Sequence, residues 1–172
     1  MLKAIGQLFQ KKNNSKELSD YLKWREVIFS VTSGQVGVLS DKPNNVYGVI
    51  MDAGLSDDFV ISITAFPTGE SSVRTTVGGG AIGLGGDKII AEQARHIVTL
   101  AQSLLEETRP IGKNELPKSQ KIRLHFLTTS GLRFNETTIK DADMQNHPFH
   151  EIFGRFTAIK TRSEELVKTY SR

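Results

Sequence analysis

Between residues 45 and 77 three runs of strand-forming residues follow one another, with gaps too short to hold a helix. NVYGVIMD (45–52) is apolar on both faces, as a central strand is. FVISITAF (59–66) alternates Phe59, Ile61, Ile63 and Ala65 with Ser62 and Thr64, so one of its faces is apolar. PTGE then turns the chain, because proline presets one bend and glycine permits positive φ. SVRTTV (72–77) returns as the hairpin partner. Farther on, KIRLHFLTT (121–129) and LRFNETT (132–138) flank Ser130-Gly131, the composition of a tight hairpin turn. Strands joined this closely pair antiparallel, since a parallel return needs a crossover of roughly a dozen residues. QVGVLS (35–40) reads as one more short strand.

Helical periodicity surrounds these runs. The pattern over 15–32 turns Leu18, Tyr21, Leu22 and Ile28 inward, with Gly34 as a left-handed stop. The clearest helix covers 88–107, where Ile90, Ala94, Ile97, Ala101, Leu104 and Leu105 form one stripe behind Asp87 as N-cap. A last helix runs over 148–170 with Phe149, Ile152, Phe156, Ile159, Leu166 and Tyr170 on one stripe, interrupted at Ser163. Its length exceeds the width of a five- or six-stranded sheet, so a projecting end that needs a partner is one expectation, and packing within the monomer is the other, simpler one. The expected fold is therefore α+β: a mainly antiparallel, five- to six-stranded sheet with its long helices packed on one face. The arrangement is analogous to profilin or roadblock domains, and the analogy carries no function.

Composition narrows the function classes. A chain of 172 residues reads as one domain, here 15–172, preceded by an amphipathic helix and hinge at 1–14 in which Leu2, Ile5, Leu8 and Phe9 share a face. Without cysteine there is no disulfide, no thiolate metal site and no cysteine nucleophile. No apolar run approaches the ~20 residues of a spanning helix, and MLKAIGQLFQKK lacks the apolar core and cleavage site of a signal peptide. The expected location is the cytoplasm. A net charge of +3 is too mild to indicate a polyanion partner.

The glycine-rich stretch 78–86, just before the helix at 88–107, raises the sharpest question. Gly78, Gly80 and Gly83 match G-x-G-x-x-G, but the preceding strand is short and polar, and no acidic residue ends a following parallel strand. An anion held at the helix start, assisted by Lys88 and Arg74, is a second reading. Asp87 stands where that anion would sit. A membrane-inserting loop would rest on Ile82 and Leu84 alone, with residues 1–12 as support for peripheral contact. The plainest reading is connection and close packing, which glycine allows.

Other chemistry is sparse. Asp141, Asp143, His147, His150 and Glu151 gather near one another, but their spacing matches no helical zinc signature, and a capped helix start explains them better. No acid/base pair and no G-x-S-x-G elbow occurs. In KIRLHF, Lys121, Arg123 and His125 share the face opposite Ile122, Leu124 and Phe126. Arg74 and Arg133 are expected to join them on an uncovered sheet face. Phe126 and Phe134 are expected to point the other way, leaving no stacking platform for RNA.

The segments VYGVIMDAG, GGGAIGLGG, KIRLHFLTTSGLR and HPFHEIFGRF, across roughly residues 46–160, resemble a small bacterial family of uncharacterised single-domain proteins. The resemblance implies a bacterial, single-domain protein and carries over no catalytic residue. Taken together, the sequence leads to a non-enzymatic interaction or regulatory domain acting as a homodimer, with an unidentified protein partner and without cofactor, metal or nucleic acid. Its candidate interaction surface is Lys121, Arg123, His125, Leu166 and Tyr170. The alternative is a small-molecule or nucleotide-binding protein, with or without catalysis, using the glycine segment.

Overall fold

The computed structural model describes residues 15–40, 42–111 and 114–170; the amphipathic segment read at 1–12 lies outside them. Its described helices are α1 (Ser15–Phe29), α2 (Lys88–Ser103), the short α3 (Ile139–Ala142) and α4 (His150–Tyr170). The strands are β1 (Val46–Ser56), β2 (Phe59–Ala65), β3 (Ser71–Thr75), β4 (Gly80–Ala81), β5 (Arg109–Pro110), β6 (Lys121–Thr128) and β7 (Gly131–Thr138). They form one sheet in the order β4-β3-β2-β1-β6-β7-β5, antiparallel at every pairing. The class is the expected one, while the strand number is seven rather than five or six. The surplus comes from β4 and β5, two residues each, which hydrophobic periodicity cannot register.

One face of the sheet carries the main core. Val49, Met51 and Ala53 of β1, Ile61 and Ile63 of β2, and Ile122, Leu124 and Phe126 of β6 alternate onto it. Against them lie Ile90, Ala94, Ile97 and Ala101 of α2, together with Ile152, Phe156 and Ile159 of α4, all fully buried. Asp87 caps α2 as expected, accepting from the amides of Ile89 and Ile90 at 3.1 Å. The helix ends earlier than its stripe suggests, and Leu105–Glu107 continue as a 3-10 turn.

The other face is not open. Here α1 covers it, so the helices lie on both faces and the expectation of one-sided packing is corrected. Ile50, Phe66 and Leu127 make a small second cluster under Ile28, Phe29 and Val36. Farther toward its start α1 adds the Tyr21 and Trp24 rings, 5.9 Å apart, and polar contacts from the Tyr21 hydroxyl and Arg25. Residues 35–40 form no strand either: Gly34–Val36 close a 3-10 turn, Gly37 takes the left-handed conformation expected of Gly34, and Leu39 is 91 % exposed.

In β1, Gly54 lets another segment approach. A Cβ there would stand 2.2 Å from the carbonyl oxygen of Lys118, and the Gln120 amide donates to the Gly54 carbonyl at 2.7 Å.

Candidate functional site

Beneath α1 the sheet presents side chains that are costly to bury. Asp52 sits opposite Ser62 on β2 and beside His125 on β6, because β1 pairs with both strands. From above, α1 contributes Tyr21 and Arg25, four residues apart and therefore on one face. Asp52, Ser62, His125 and Tyr21 are fully buried, and Arg25 is 5 % exposed. Arg25 Nη1 lies 2.6 Å from Asp52 Oδ2, and His125 Nε2 lies 2.9 Å from the same oxygen. Ser62 donates to Asp52 Oδ1, and the Tyr21 and Ser62 hydroxyls share a bond at 2.6 Å. Arg25 Nη2 donates to Asn114 Oδ1 at 2.6 Å. Phe29 meets the His125 ring edge-on at 4.9 Å, and the Arg25 guanidinium lies 4.6 Å over the Phe29 ring.

The electrostatics of this cluster are consistent with one protonation state. Burial alone would raise the Asp52 pKa, but the bond from His125, the Arg25 charge and the Ser62 hydroxyl outweigh it and hold the carboxyl at about 2. Burial pushes His125 down, aided by the charges of Arg25 and Arg123 and opposed by Asp52. A neutral His125 carrying its proton on Nε2 satisfies the short bond to Asp52; its buried Nδ1 has no partner among the described residues. The 3.5 Å approach of Arg25 Nη2 to His125 Nε2 is the weaker contact, since Nε2–H cannot also accept. Burial, with the Asp52 charge, raises the Tyr21 hydroxyl to about 12.

This arrangement lacks the geometry of a nucleophilic triad. Ser62 bonds to the carboxylate rather than to the imidazole, so no base stands ready for its proton. What the cluster does is fix α1 in position and register. Among the described residues, buried atoms without a hydrogen-bond partner recur along the same interface, at Glu17 Oε2, Trp24 Nε1, Arg74 Nε and His125 Nδ1. A permanently packed interface leaves few such groups.

Of the basic residues read from the sequence, Lys121, Arg123 and His125 do share a face, but it is the covered one. His125 is fully buried rather than presented to a partner. Arg123 is engaged by Glu136 at 2.6 Å and by the Glu115 carbonyl at 2.6 Å. Phe134 lies on this same face, opposite His125 in the β6–β7 register, with Arg109 and Arg123 at 4.8 and 5.2 Å over its ring. Its expected opposite orientation is therefore corrected. Arg133 pairs with Phe126 and so belongs to the other face, where it donates to the Thr108 hydroxyl and carbonyl. Leu166 is partly buried against the main core, and Tyr170 ends α4.

In the glycine segment, Gly78, Gly79, Gly80 and Gly83 all take positive φ. Gly80 is the most constrained: at φ 121° a Cβ would stand 2.0 Å from the Val73 carbonyl oxygen. Arg74 is paired with Gly80 across β3 and β4, but it shares the face of Ser62 under α1, whereas Lys88 opens α2 on the opposite face. The two cations do not converge. The start of α2 is occupied by the Asp87 carboxylate, whose Oδ2 also receives Arg162 at 2.9 and 3.0 Å. Leu84 closes the segment by packing into the core.

The histidines and Glu151 at the start of α4 make local bonds. His147 Nδ1 accepts from the Phe149 amide, its Nε2 bonds the Thr137 hydroxyl, His150 reaches the Ala142 carbonyl, and Glu151 pairs with Arg155. Among the described residues, no three such side chains are grouped to hold a metal ion, and no helix is long and apolar enough to cross a membrane.

Sequence reasoning reads Tyr21 only as an inward helix residue and Ser62 only as the polar side of its strand, and it assigns no role to Arg25 or Asp52. The sequence reading ends its strand at Asp52, where an acid passes for a strand terminus, whereas β1 continues to Ser56 and so carries Asp52 inside the sheet. Comparison with family models, with curated proteins and with solved structures finds no match to this chain.

Proposed function

We propose that the chain is a non-enzymatic, cytoplasmic interaction or regulatory domain that works as a homodimer, with α1 as a releasable cover over the polar sheet face. The observation carrying this reading is the seat of α1, where a buried Arg25–Asp52–His125 cluster stands beside only a small apolar cluster under Ile28 and Phe29. Buried ion pairs contribute little net stability compared with well-packed apolar residues, yet they define register sharply. A helix seated this way is specific in position and cheap to exchange. When α1 leaves, Asp52, Ser62, Arg123 and His125 become a polar surface that a second copy or another protein can engage. Leu18 and Leu22, each 42 % exposed while docked, give the released helix an apolar edge of its own.

Native mass spectrometry and sedimentation velocity over a concentration series test the reading. It expects a dimer at micromolar concentration. It also expects Arg25→Glu, which sets two carboxylates against each other, to change the dimer fraction without unfolding the sheet. A monomer at every concentration, unchanged by Arg25→Glu, would contradict it.

A further inference from the structure

A second feature lies away from α1, on the α2/α4 side of the β4 edge. A groove of about 290 Å³ runs between the glycine-rich segment and the C-terminal half of α4. Its floor is Ile61 and Val73, one wall is the main chain of Gly80 and Ala81, and the other wall is Val167. A further cavity of about 490 Å³ shares Ala81 and Val167 and extends the groove past Leu84. The glycines make this space by contributing a wall without side chains. Along the rim, Lys160, Glu164 and Lys168 succeed one another at four-residue intervals and share one edge of α4. Glu164 holds Lys160 at 2.8 Å. Lys168 is exposed and makes no ion pair among the described residues. The groove is thus apolar within and has one surplus positive charge at its mouth.

We propose that this groove binds an anionic amphiphile: a single aliphatic chain along Ile61, Val73 and Val167, with its carboxylate or comparable head at Lys168. The proposal is independent of the role of α1. Nucleotides fit poorly, since the α2 amides are taken by Asp87 and Glu164 stands at the rim. A strand added by a partner would find only the two residues of β4 to pair with. An aliphatic chain needs no hydrogen bonds from the wall, and the groove volume sits near the lower end of the ~300–1,000 Å³ usual for small-molecule sites.

The test titrates the full chain with sodium dodecanoate below its micellar concentration, followed by calorimetry and by amide NMR shifts. One site is expected, with shifts concentrated at residues 79–84 and 160–168. Val167→Trp, a substitution at a half-exposed position that fills the groove, should weaken binding at least ~10-fold, or about 1.4 kcal/mol. Lys168→Glu should weaken it several-fold, and dodecyltrimethylammonium, the same chain with a cationic head, should bind at least ~10-fold less tightly. Glycine variants are poor probes, because Gly80→Ala strains the fold itself. Absence of dodecanoate binding would overturn the proposal. So would shifts confined elsewhere, equal affinity in Val167→Trp, or equal affinity for the cationic amphiphile. Phosphatidylglycerol vesicles serve as a second probe. Capture by vesicles that Val167→Trp abolishes makes a membrane lipid the source of the chain, whereas dodecanoate binding without capture makes it a free acid; both support the acyl site.

Discussion

The two faces of this sheet are built from the same strands and solve burial in opposite ways. On the α2/α4 face, alternate residues of β1, β2 and β6 are aliphatic or aromatic and meet helices of the same character. On the α1 face, the intervening residues of those strands include Asp52, Ser62, Thr64, Arg123 and His125. The first face gains from area removed from water, a term without directional demands on any single atom pair. The second gains little from area and depends on each polar atom finding its partner. One face therefore holds the fold together, and the other decides where one helix sits.

The largest expected effect lies on the apolar face. Phe156 is fully buried between α4 and the sheet. Phe156→Ala should cost about 3–5 kcal/mol and lower the single global transition in denaturant melts. A local loss confined to α4 would break the contrast between the faces.

Arg25→Ala comes next. Leaving a buried charge unpaired ordinarily costs about 3–5 kcal/mol. Here the loss is capped by the free energy holding α1 down, because the helix can lift and let water reach Asp52. Circular dichroism should show lost helix with the main transition kept. The double variant Arg25→Met with Asp52→Leu should return α1 to its seat, with stability within about 1–2 kcal/mol of wild type or above it. Severe destabilisation by the double change would mean that the polar cluster itself supplies the stability.

The pH response is smaller and has a defined sign. His125 titrates in the folded chain below its ordinary value, so the unfolded chain binds its proton first. Stability is then complete above about pH 6.5 and falls as pH drops through that value, by up to about 1.4 kcal/mol per pH unit. The groups facing the ring are Asp52, Arg25, Arg123 and Phe29. His125→Gln should remove this slope. Asp52, held at about 2, adds a separate loss that starts only near its unfolded pKa of about 4 and continues as pH falls toward 2. Urea melts between pH 4.5 and 8 separate the two. The smallest effect is at the cap: Asp87→Ala should cost about 1 kcal/mol through its two lost amide bonds and the lost, partly exposed pair with Arg162, read as a shift in urea midpoint.

What was legible in the sequence follows the same division. The apolar face announces itself by periodicity: Ile90, Ala94, Ile97 and Ala101 in α2, and Ile152, Phe156 and Ile159 in α4, repeat as packed helices must. The short turn at Ser130-Gly131 and the closely spaced runs before it lead directly to antiparallel pairing. The polar face is not legible in this way. Its strand residues read as a solvated surface, because alternation cannot distinguish water from a helix carrying Arg25 and Tyr21. The side of Phe134 depends on register, and His125 opposite Phe134 fixes it only once β6 and β7 are paired. The two-residue strands β4 and β5 exist only through their neighbours. The groove at the glycine segment needs α4 beside it, a juxtaposition that no local pattern encodes.

Native-state hydrogen exchange of the full chain, with increasing sub-denaturing urea, tests the central claim most directly. The account predicts that the amides of α1, Ser15–Phe29, open with a free energy well below that of β1 and β6. Arg25→Ala should lower the α1 value alone. Exchange of α1 at the same free energy as β1 and β6, with the same urea dependence, would show that α1 unfolds only with the whole domain and would contradict a releasable cover.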